Sequence, residues 1–243
     1  MKTYRFIHHQ QLYSTNTFAL EMLLENREEE GLVVTTDVQT NGVGQRGKVW
    51  ESECEKNLLM SVVLQPNITT AEQQVFNCAI ALTLYDVLVT YFGATVKIKW
   101  PNDIMIGKKK IAGILIQNKV LKAIITHAVV GIGMNVNQIR FNAYLPEATS
   151  FALECNTTFD VITIRDKLLS RLKQRMDNLK SGNNIQEEYT DALYLKDKPA
   201  TFQHAESKFM GIIRGITAEG TLMLEQEDGN IHTYKNQEIN YLF

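Results

Sequence analysis

The sequence predicts an α+β fold, a mixed β-sheet packed by helices and followed by a small β-barrel. Three observations carry this expectation. Short β-branched runs, such as Leu32 to Gln39 and Leu58 to Gln65, alternate with long helical patterns through most of the chain. Past about Lys196 the pattern changes to short strands separated by turn residues, as in GIIRGITAEGTLMLEQEDGNIHTYK. The length, 243 residues, suits one main domain and a minor one, because domains usually run about 100 to 200 residues. The expected division is 1–195 and 196–243.

Taken in order, a strand near Tyr4 to His8 leads into a helix capped by Ser14 or Thr15, with Phe18, Met22 and Leu23 on one face. The strand from Leu32 to Gln39 follows, and the strand from Leu58 to Gln65 ends at Pro66, which cannot donate to a ladder. Thr70 with Gln73 reads as a capping box for an amphipathic helix carrying Phe76, Ile80, Leu84, Leu88 and Tyr91, stopped by Gly93. Strands are expected over Thr95 to Trp100, Ile111 to Gln117 after a turn at Gly107 and Lys108, and Leu121 to Gly131. A helix from about Asp160 to Lys180 carries Leu168, Leu172, Met176 and Leu179 and stops at Gly182, and a shorter one covers Ile185 to Leu195. Glu219-Gly220 and Asp228-Gly229-Asn230 mark hairpins, and Glu28 to Glu30 reads as a solvated helix end.

With 25 basic and 27 acidic side chains the net charge is −2, so no general field draws the chain to nucleic acid or anionic lipid. Cys54, Cys78 and Cys155 are widely spaced and odd in number, which fits neither a disulfide framework nor a clustered zinc site and suits a reducing cytoplasm. The start has no apolar stretch of signal-peptide length, and no later run approaches the roughly 18 apolar residues that span a membrane. The expectation is a cytoplasmic chain with small-molecule or protein partners.

The stretch VVTTDVQTNGVGQRGKVWESE, residues 33–53, satisfies two phosphate-binding patterns at once. From Gly42 it fits G-x-G-x-x-G, and with Lys48 it fits the Walker A frame. A Walker loop needs Ser or Thr after its lysine and a helix starting there, but Val49 and Trp50 follow and a strand comes next. The dinucleotide pattern needs an acidic residue about 20 positions on, where only Val-Val-Leu-Gln-Pro stands. Taken alone, the segment reads as a mobile surface loop. Its backbone amides, with Arg46, Lys48 and an exposed Trp50, could also wrap an anion.

Two further segments share this ambiguity. In KWPNDIMIGKKKIAGIL, residues 99–115, Asn102 and Asp103 stand where a strand ends, either aimed into a site or making an Asx-type surface turn. Strand alternation sends Lys108 and Lys110 to one side and Lys109 to the other, so Lys110 can enter a site. In VVGIGMNVNQ, residues 129–138, glycines flank Ile132 and Asn135 follows. Glycines inside a strand mark close approach by a ligand or another backbone, or a bulge.

Together and in this order, the three segments resemble the biotin protein ligase family, and the match covers nearly the whole chain. The family's Ser-Thr-Asn appears as Ser14, Thr15 and Asn16, its Gln and GRGRxGxxW loop as Gln39 and GVGQRGKVW, followed by KWPND, K-x-AGIL and G-x-G-x-N-x-N. The resemblance implies a catalytic domain of the class II aminoacyl-tRNA synthetase and biotin ligase type with a C-terminal SH3-like barrel. It implies ATP and biotin as substrates with Mg2+, a biotinyl-5′-AMP intermediate, and transfer to a lysine of a biotin carboxyl carrier protein or carboxylase acceptor domain. No nucleic acid or membrane partner is expected, because some relatives carry an N-terminal DNA-binding domain whereas the catalytic match here begins almost at Met1. The oligomeric state stays open, a homodimer among the options. A lipoate ligase and a non-catalytic biotin or adenylate sensor are the rival readings.

By position, the resemblance assigns Ser14, Thr15, Asn16, Gln39, Gly42, Gly44, Lys110, Gly113 and Gly131 to biotin. It assigns Gln45, Arg46, Gly47, Trp50, Asn102, Lys110 and Asn135 to the nucleotide, and Lys110 and Asp103 to catalysis, with Asp103 also the one candidate for holding metal. An acyl adenylate is a mixed anhydride that water destroys, so a loop closing over it has a purpose. Two family arginines are replaced, by Val43 and Gln45. That leaves Arg46 to compensate, and a less tightly held intermediate is the expectation.

Overall fold

The computed structural model describes residues 3–25, 30–47, 49–142, 148–179 and 184–242, with the backbone alone at Arg46. In chain order the elements are β1 (Arg5–Leu12), α1 (Thr15–Leu24), β2 (Leu32–Gln39), β3 (Leu58–Leu64), β4 (Ile68–Thr69), α2 (Gln73–Phe92), β5 (Val96–Lys99), β6 (Asp103–Ile106), β7 (Lys109–Leu121) and β8 (Ile124–Met134). Then come α3 (Phe151–Cys155), α4 (Val161–Leu179), α5 (Ile185–Asp191), β9 (Pro199–His204), β10 (Ser207–Ile216), β11 (Leu222–Gln226), β12 (Ile231–Tyr234) and β13 (Ile239–Leu242). The expected helix stop at Gly182 and the acidic residues Glu28 and Glu29 lie outside the described residues.

The first sheet runs β1-β2-β3-β8-β7-β6-β5, with β4 against β8. β1 and β2 are parallel and the other neighbours antiparallel, which makes the sheet mixed as expected. Side-chain alternation along β8 sorts its two faces. Val130, Ile132 and Met134 join the large core beneath α2, α4 and α5. Val129 packs instead with Ala19 and Leu23 of α1, and Gly131 and Gly133 share that second face. The helix layer thus covers one side of the sheet, while α1 covers only part of the other.

Several expectations need correction. The first strand continues to Leu12, four residues past His8, because it pairs with β2 along its whole length. The capping box before α2 is Thr69 with Glu72 rather than Thr70 with Gln73: the Glu72 carboxylate accepts from Thr69 N at 2.8 Å. α2 itself is not amphipathic. Every residue from Cys78 to Leu84 is buried, because the sheet lies on one side and α4 and α5 on the other. With its flanking turns, Thr70–Thr95, it is long and apolar enough to span a bilayer by length and composition. The residue count missed this because Gln73, Gln74, Asn77 and Asp86 interrupt the apolar run. Here it is the central core helix. The sequence pattern also hides β6, a four-residue strand that begins at Asp103, the last residue of KWPND, and runs to the lysine turn.

The helix layer is tied together by a buried charge. Arg175 of α4 donates to Asp86 of α2 and to Glu188 of α5, so three helices share one guanidinium whose fork suits two carboxylates at once.

The second sheet is antiparallel, in the order β12-β11-β10-β9-β13. Its turns at Thr217–Thr221 and Gln226–Asn230 fall at the two expected hairpins. Phe202, Ile213, Leu222, Leu224 and Ile239 from this sheet belong to the same buried cluster as α2. Trp100 Nε1 donates to Gly220 O at 3.0 Å, pinning a hairpin tip of the second sheet to the end of β5.

Cys78 sits inside this core, and burial pushes its thiol up to about 12, only partly opposed by the Gln74 amide. Cys54 and Cys155 are exposed. A thiol reagent at neutral pH should therefore label two of the three cysteines in the native protein and the third only in denaturant, since the thiolate is the reactive form. Rapid native labelling of Cys78, read by peptide mass, would contradict this packing.

Candidate functional site

The uncovered part of the sheet face opens into a cavity of about 1200 Å³. Its floor is bare backbone. Gly113 of β7 stands opposite Gly133 of β8, and Gly131 follows two residues before on the same face. A methyl group on Gly133 would lie 2.4 Å from Trp50 Cε2, one on Gly113 would lie 3.1 Å from Trp50 Cζ3, and one on Gly131 would lie 2.4 Å from Asn16 Oδ1. The glycines are therefore a close-approach surface rather than a bulge, because the β7–β8 register runs unbroken through them.

Trp50 lies across the Gly113–Gly133 pair. It was expected to be exposed. Instead its ring is half-buried on the floor, with its Nε1 enclosed and without a hydrogen-bond partner among the described residues. The glycine loop brings it there by forming a small hairpin: Val43 pairs with Val49, and Trp50 N donates to Gly42 O at 2.9 Å. A methyl on Gly42 would meet Trp50 O at 2.4 Å, so Gly42 serves the crossing of the two loop arms and does not line the cavity. Gly47 ends the 3-10 turn Gln45–Gly47 and does not line it either. The Lys48 position and the Arg46 side chain lie outside the described residues. After the loop comes β3, as the dismissal of a Walker site required.

At one end of the floor stands the N-terminus of α1. Ser14 caps it, accepting from Thr17 N. Gln39 Oε1 at the end of β2 accepts from Thr15 N at 2.8 Å and lies 3.2 Å from Thr15 Oγ1. Asn16 reaches across three strands: its Nδ2 donates to Leu115 O and Gln117 Oε1 on β7, its Oδ1 lies 2.8 Å from Ser61 Oγ on β3, and its amide rests on Gly131 of β8. Asn16 is thereby a strap between helix and sheet.

At the other end a β-bulge does the positioning. The β6–β7 register shifts between Ile104 and Met105, so Ile104 faces Ala112 while Met105 faces Lys110. Residues 110 and 113 are three apart and would lie on opposite faces of a regular strand; the extra residue brings Lys110 over to the Gly113 side, with Nζ 3.3 Å from where a Gly113 methyl would stand. There Lys110 Nζ pairs with Asp103 Oδ1 at 2.6 Å and lies 5.4 Å from the centre of the Trp50 ring. Lys109 turns away to Glu154. Asn102 Nδ2 donates to Ile114 O, and Asn135 Nδ2 to Thr149 O. The amide nitrogens of both are committed to backbone.

Of the residues singled out in the sequence, Ser14, Thr15, Asn16, Gln39, Gly44, Gln45, Trp50, Asn102, Asp103, Lys110, Gly113, Gly131 and Asn135 line this one cavity. Gly133, which flanks Ile132 together with Gly131 in the sequence but received no ligand assignment there, lines it as well. The sequence reading missed the second sheet's share: Lys208, Asn236, Asn240 and Tyr241 close one wall, with Asn236 Nδ2 donating to Gln45 Oε1 at 3.0 Å. No local pattern marks those residues. The Tyr241 phenol is raised above its ordinary value, by burial first and the Asp103 carboxylate second, so it stays neutral.

Residues 9–135 match the biotin/lipoate A/B protein ligase family. The chain is also 31% identical over 232 residues to the bifunctional ligase/repressor BirA of Bacillus subtilis, covering 92% of this chain and 70% of that protein. It belongs to the biotin/lipoate A/B protein ligase family. A more distant member is the biotin–[acetyl-CoA-carboxylase] ligase of Mycobacterium tuberculosis, 26% identical over 218 residues, covering 87% of this chain and 80% of that one. The fold is that of the biotin protein ligase of Aquifex aeolicus solved with biotin and ATP, at a TM-score of 0.77, 23% identity, and 98% and 99% coverage of the two chains. Within this family fold, the uncovered glycine floor sits between the α1 cap and the Lys110–Asp103 pair.

Gly133→Ala should lift the indole of Trp50 from the floor, because the two cannot share that space. The expected outcome is red-shifted, more quenchable tryptophan emission, a change that vanishes in a Trp50→Phe background. Unchanged emission would mean that the indole does not rest there.

Proposed function

We propose that this chain is a biotin protein ligase that joins biotin to AMP and then to a lysine of a carboxylase acceptor, a biotin carboxyl carrier domain. The observation that carries the reading is the glycine-floored cavity that runs from the α1 cap to Lys110. A bicyclic ligand needs a cavity of this kind with a few placed polar groups, and its carboxylate needs a cation at the tail end. The relative named biotin–[acetyl-CoA-carboxylase] ligase supports the same substrate. We also read residues 1–195 as the catalytic domain and 196–243 as the barrel that completes its wall.

In the first step a carboxylate oxygen of biotin attacks the α-phosphorus of ATP, the bond to the bridging oxygen breaks, and pyrophosphate leaves. Negative charge gathers on the phosphoryl oxygens. Lys110 offsets it: at about 4 Å and an effective dielectric of about 20, one such attraction is about 4 kcal/mol, before desolvation is subtracted. An ammonium has three donors, so Lys110 can hold Asp103 and still bind substrate oxygens. In the second step the acceptor lysine loses a proton, its amine attacks the acyl carbon, and the bond to the adenylate oxygen breaks to release AMP. Asp103 is the group to receive or orient that ammonium. Trp50 supplies a ring face for the adenine, and the loop it anchors keeps water from the anhydride. We assign Ser14, Thr15, Gln39, Gly44, Gly113 and Gly131 to the biotin side and Gln45, Asn102 and Asn135 to the nucleotide side.

Magnesium enters as the ATP complex. Among the described residues no group of three His, Cys, Asp or Glu could cage an ion, and of the two carboxylates on the cavity wall, Glu51 and Asp103, the latter is held by Lys110. Magnesium keeps most of its waters and binds through phosphates with one or two carboxylates, so such a wall fits an ion carried by its nucleotide.

Lys110→Ala should lower biotin-dependent exchange of pyrophosphate into ATP about a hundredfold or more while the protein stays folded. A loss under tenfold would remove Lys110 from the chemistry. Lipoic acid supporting exchange where biotin does not would move the chain to the lipoate branch. A carrier domain that gains the mass of biotin less water, with ATP and magnesium present, confirms the transfer.

A further inference from the structure

Ser61 belongs to none of the sequence motifs, yet it controls what one wall of the cavity can offer a ligand. It is fully buried on β3, opposite Gly131, and its Oγ lies 2.8 Å from both Thr15 Oγ1 and Asn16 Oδ1. A count of hydrogens decides the direction of these bonds. Asn16 is oriented by Leu115 O, a main-chain oxygen that can only accept, so Nδ2 faces β7 and Oδ1 faces Ser61. The single proton of Ser61 therefore goes to Asn16 Oδ1. The 2.8 Å contact between Ser61 and Thr15 then takes the proton of Thr15. Gln39 Oε1 can also accept from Thr15 Oγ1, but at 3.2 Å it is the weaker claimant on that proton than Ser61 at 2.8 Å. With its hydrogen turned inward, Thr15 has only lone pairs left for the cavity.

We propose that Ser61 is a positioning residue that fixes Thr15 as a hydrogen-bond acceptor, so that this end of the site selects a ligand ring bearing an N–H over an isosteric ring bearing an oxygen. Ser61 does not itself line the cavity; it acts through Thr15 and Asn16. The inference rests on the biotin reading above, because the cyclic urea of biotin carries two such N–H groups. Without Ser61, the Thr15 proton keeps only the longer contact to Gln39 Oε1, so the hydroxyl can turn outward and become a donor, and Asn16 Oδ1 loses the Ser61 hydroxyl.

The test compares binding of biotin with its two ring carbamates, in each of which one ring N–H is replaced by oxygen. The wild-type protein should bind one carbamate about tenfold or more worse than biotin, since two oxygen lone-pair sets then face each other. In Ser61→Ala, biotin should weaken about tenfold and the penalty on that carbamate should largely disappear, with the KM for ATP unchanged. Ser61→Cys, of similar shape and a weak donor, should fall between, and it serves if the alanine variant folds poorly. Equal discrimination by wild-type and both variants would overturn the role of Ser61 while leaving the biotin reading intact. No binding of biotin by the wild-type protein would instead sink that reading. A lower melting temperature with unchanged discrimination would mark Ser61 as merely structural.

Discussion

A stretch of sheet face without side chains is the constraint on which the rest of this structure depends. Strand alternation allows it only because residues 129–134 put glycines at every second position, so that one face of β8 carries Val130, Ile132 and Met134 into the core while the other goes bare beyond Val129. β7 must then match it, and Gly113 stands in register with Gly133. A methyl at Gly131 or Gly133 would overlap Asn16 or Trp50 by about an ångström, since non-bonded carbons settle at about 3.5 Å or more. The two side chains that use this bare surface enter from opposite sides, Asn16 from the first turn of a helix and Trp50 from the return arm of a loop.

Bare backbone also explains why the site needs walls from so many elements. A glycine floor supplies area but no orientation. Polar direction comes from the α1 cap, where Thr15, Asn16, Gln39 and Ser61 form one closed network, and charge comes from the bulged edge of β7. The second sheet contributes the remaining wall. Its attachment is a shared core rather than a hinge contact, with Phe202, Leu222 and Ile239 in one cluster with α2 and Trp100 bonded to Gly220. The neutral phenol of Tyr241 and the Asn236 amide, bonded to Gln45, then meet the loop at positions that sequence order places nearly at the far end of the chain.

How much of this was legible in the sequence follows from the range of the interactions involved. Ser14 as a cap, Gly93 as a stop, the two C-terminal hairpins and the strand after the glycine loop depend on neighbours a few residues away, and local patterns marked them. The burial of Cys78 to Leu84 all round depends on α4 and α5, which begin only at Val161, and no local period reports it. The β6–β7 bulge escaped for a subtler reason. Regular alternation already placed Lys110 on a plausible side, but it would have put Gly113 on the opposite face; only a register shift set by tertiary pairing puts both on one surface. Trp50 was misjudged because an aromatic in a polar loop looks exposed until its floor is known. Ser61 left no signal, since a serine inside LLMSVVL reads only as a tolerated polar residue in a buried strand.

The Lys110–Asp103 pair is best understood through the charges it leaves over. At an effective dielectric of about 20, Lys110 attracts an anion 4 Å away by about 4 kcal/mol, while Asp103 on its far side, about 6 Å from that anion, repels it by about 3 kcal/mol. An undisturbed pair thus attracts a single carboxylate by only about 1 kcal/mol. Lys110 acts at full strength only when another cation draws off the field of Asp103. On the proposed reaction Asp103 would face two such cations in turn, an ion carried by ATP in the first step and the ammonium of the acceptor lysine in the second. The same carboxylate that restrains Lys110 would then be engaged at each step by the partner that step requires, so that the cation is released for chemistry only when the reactants are in place.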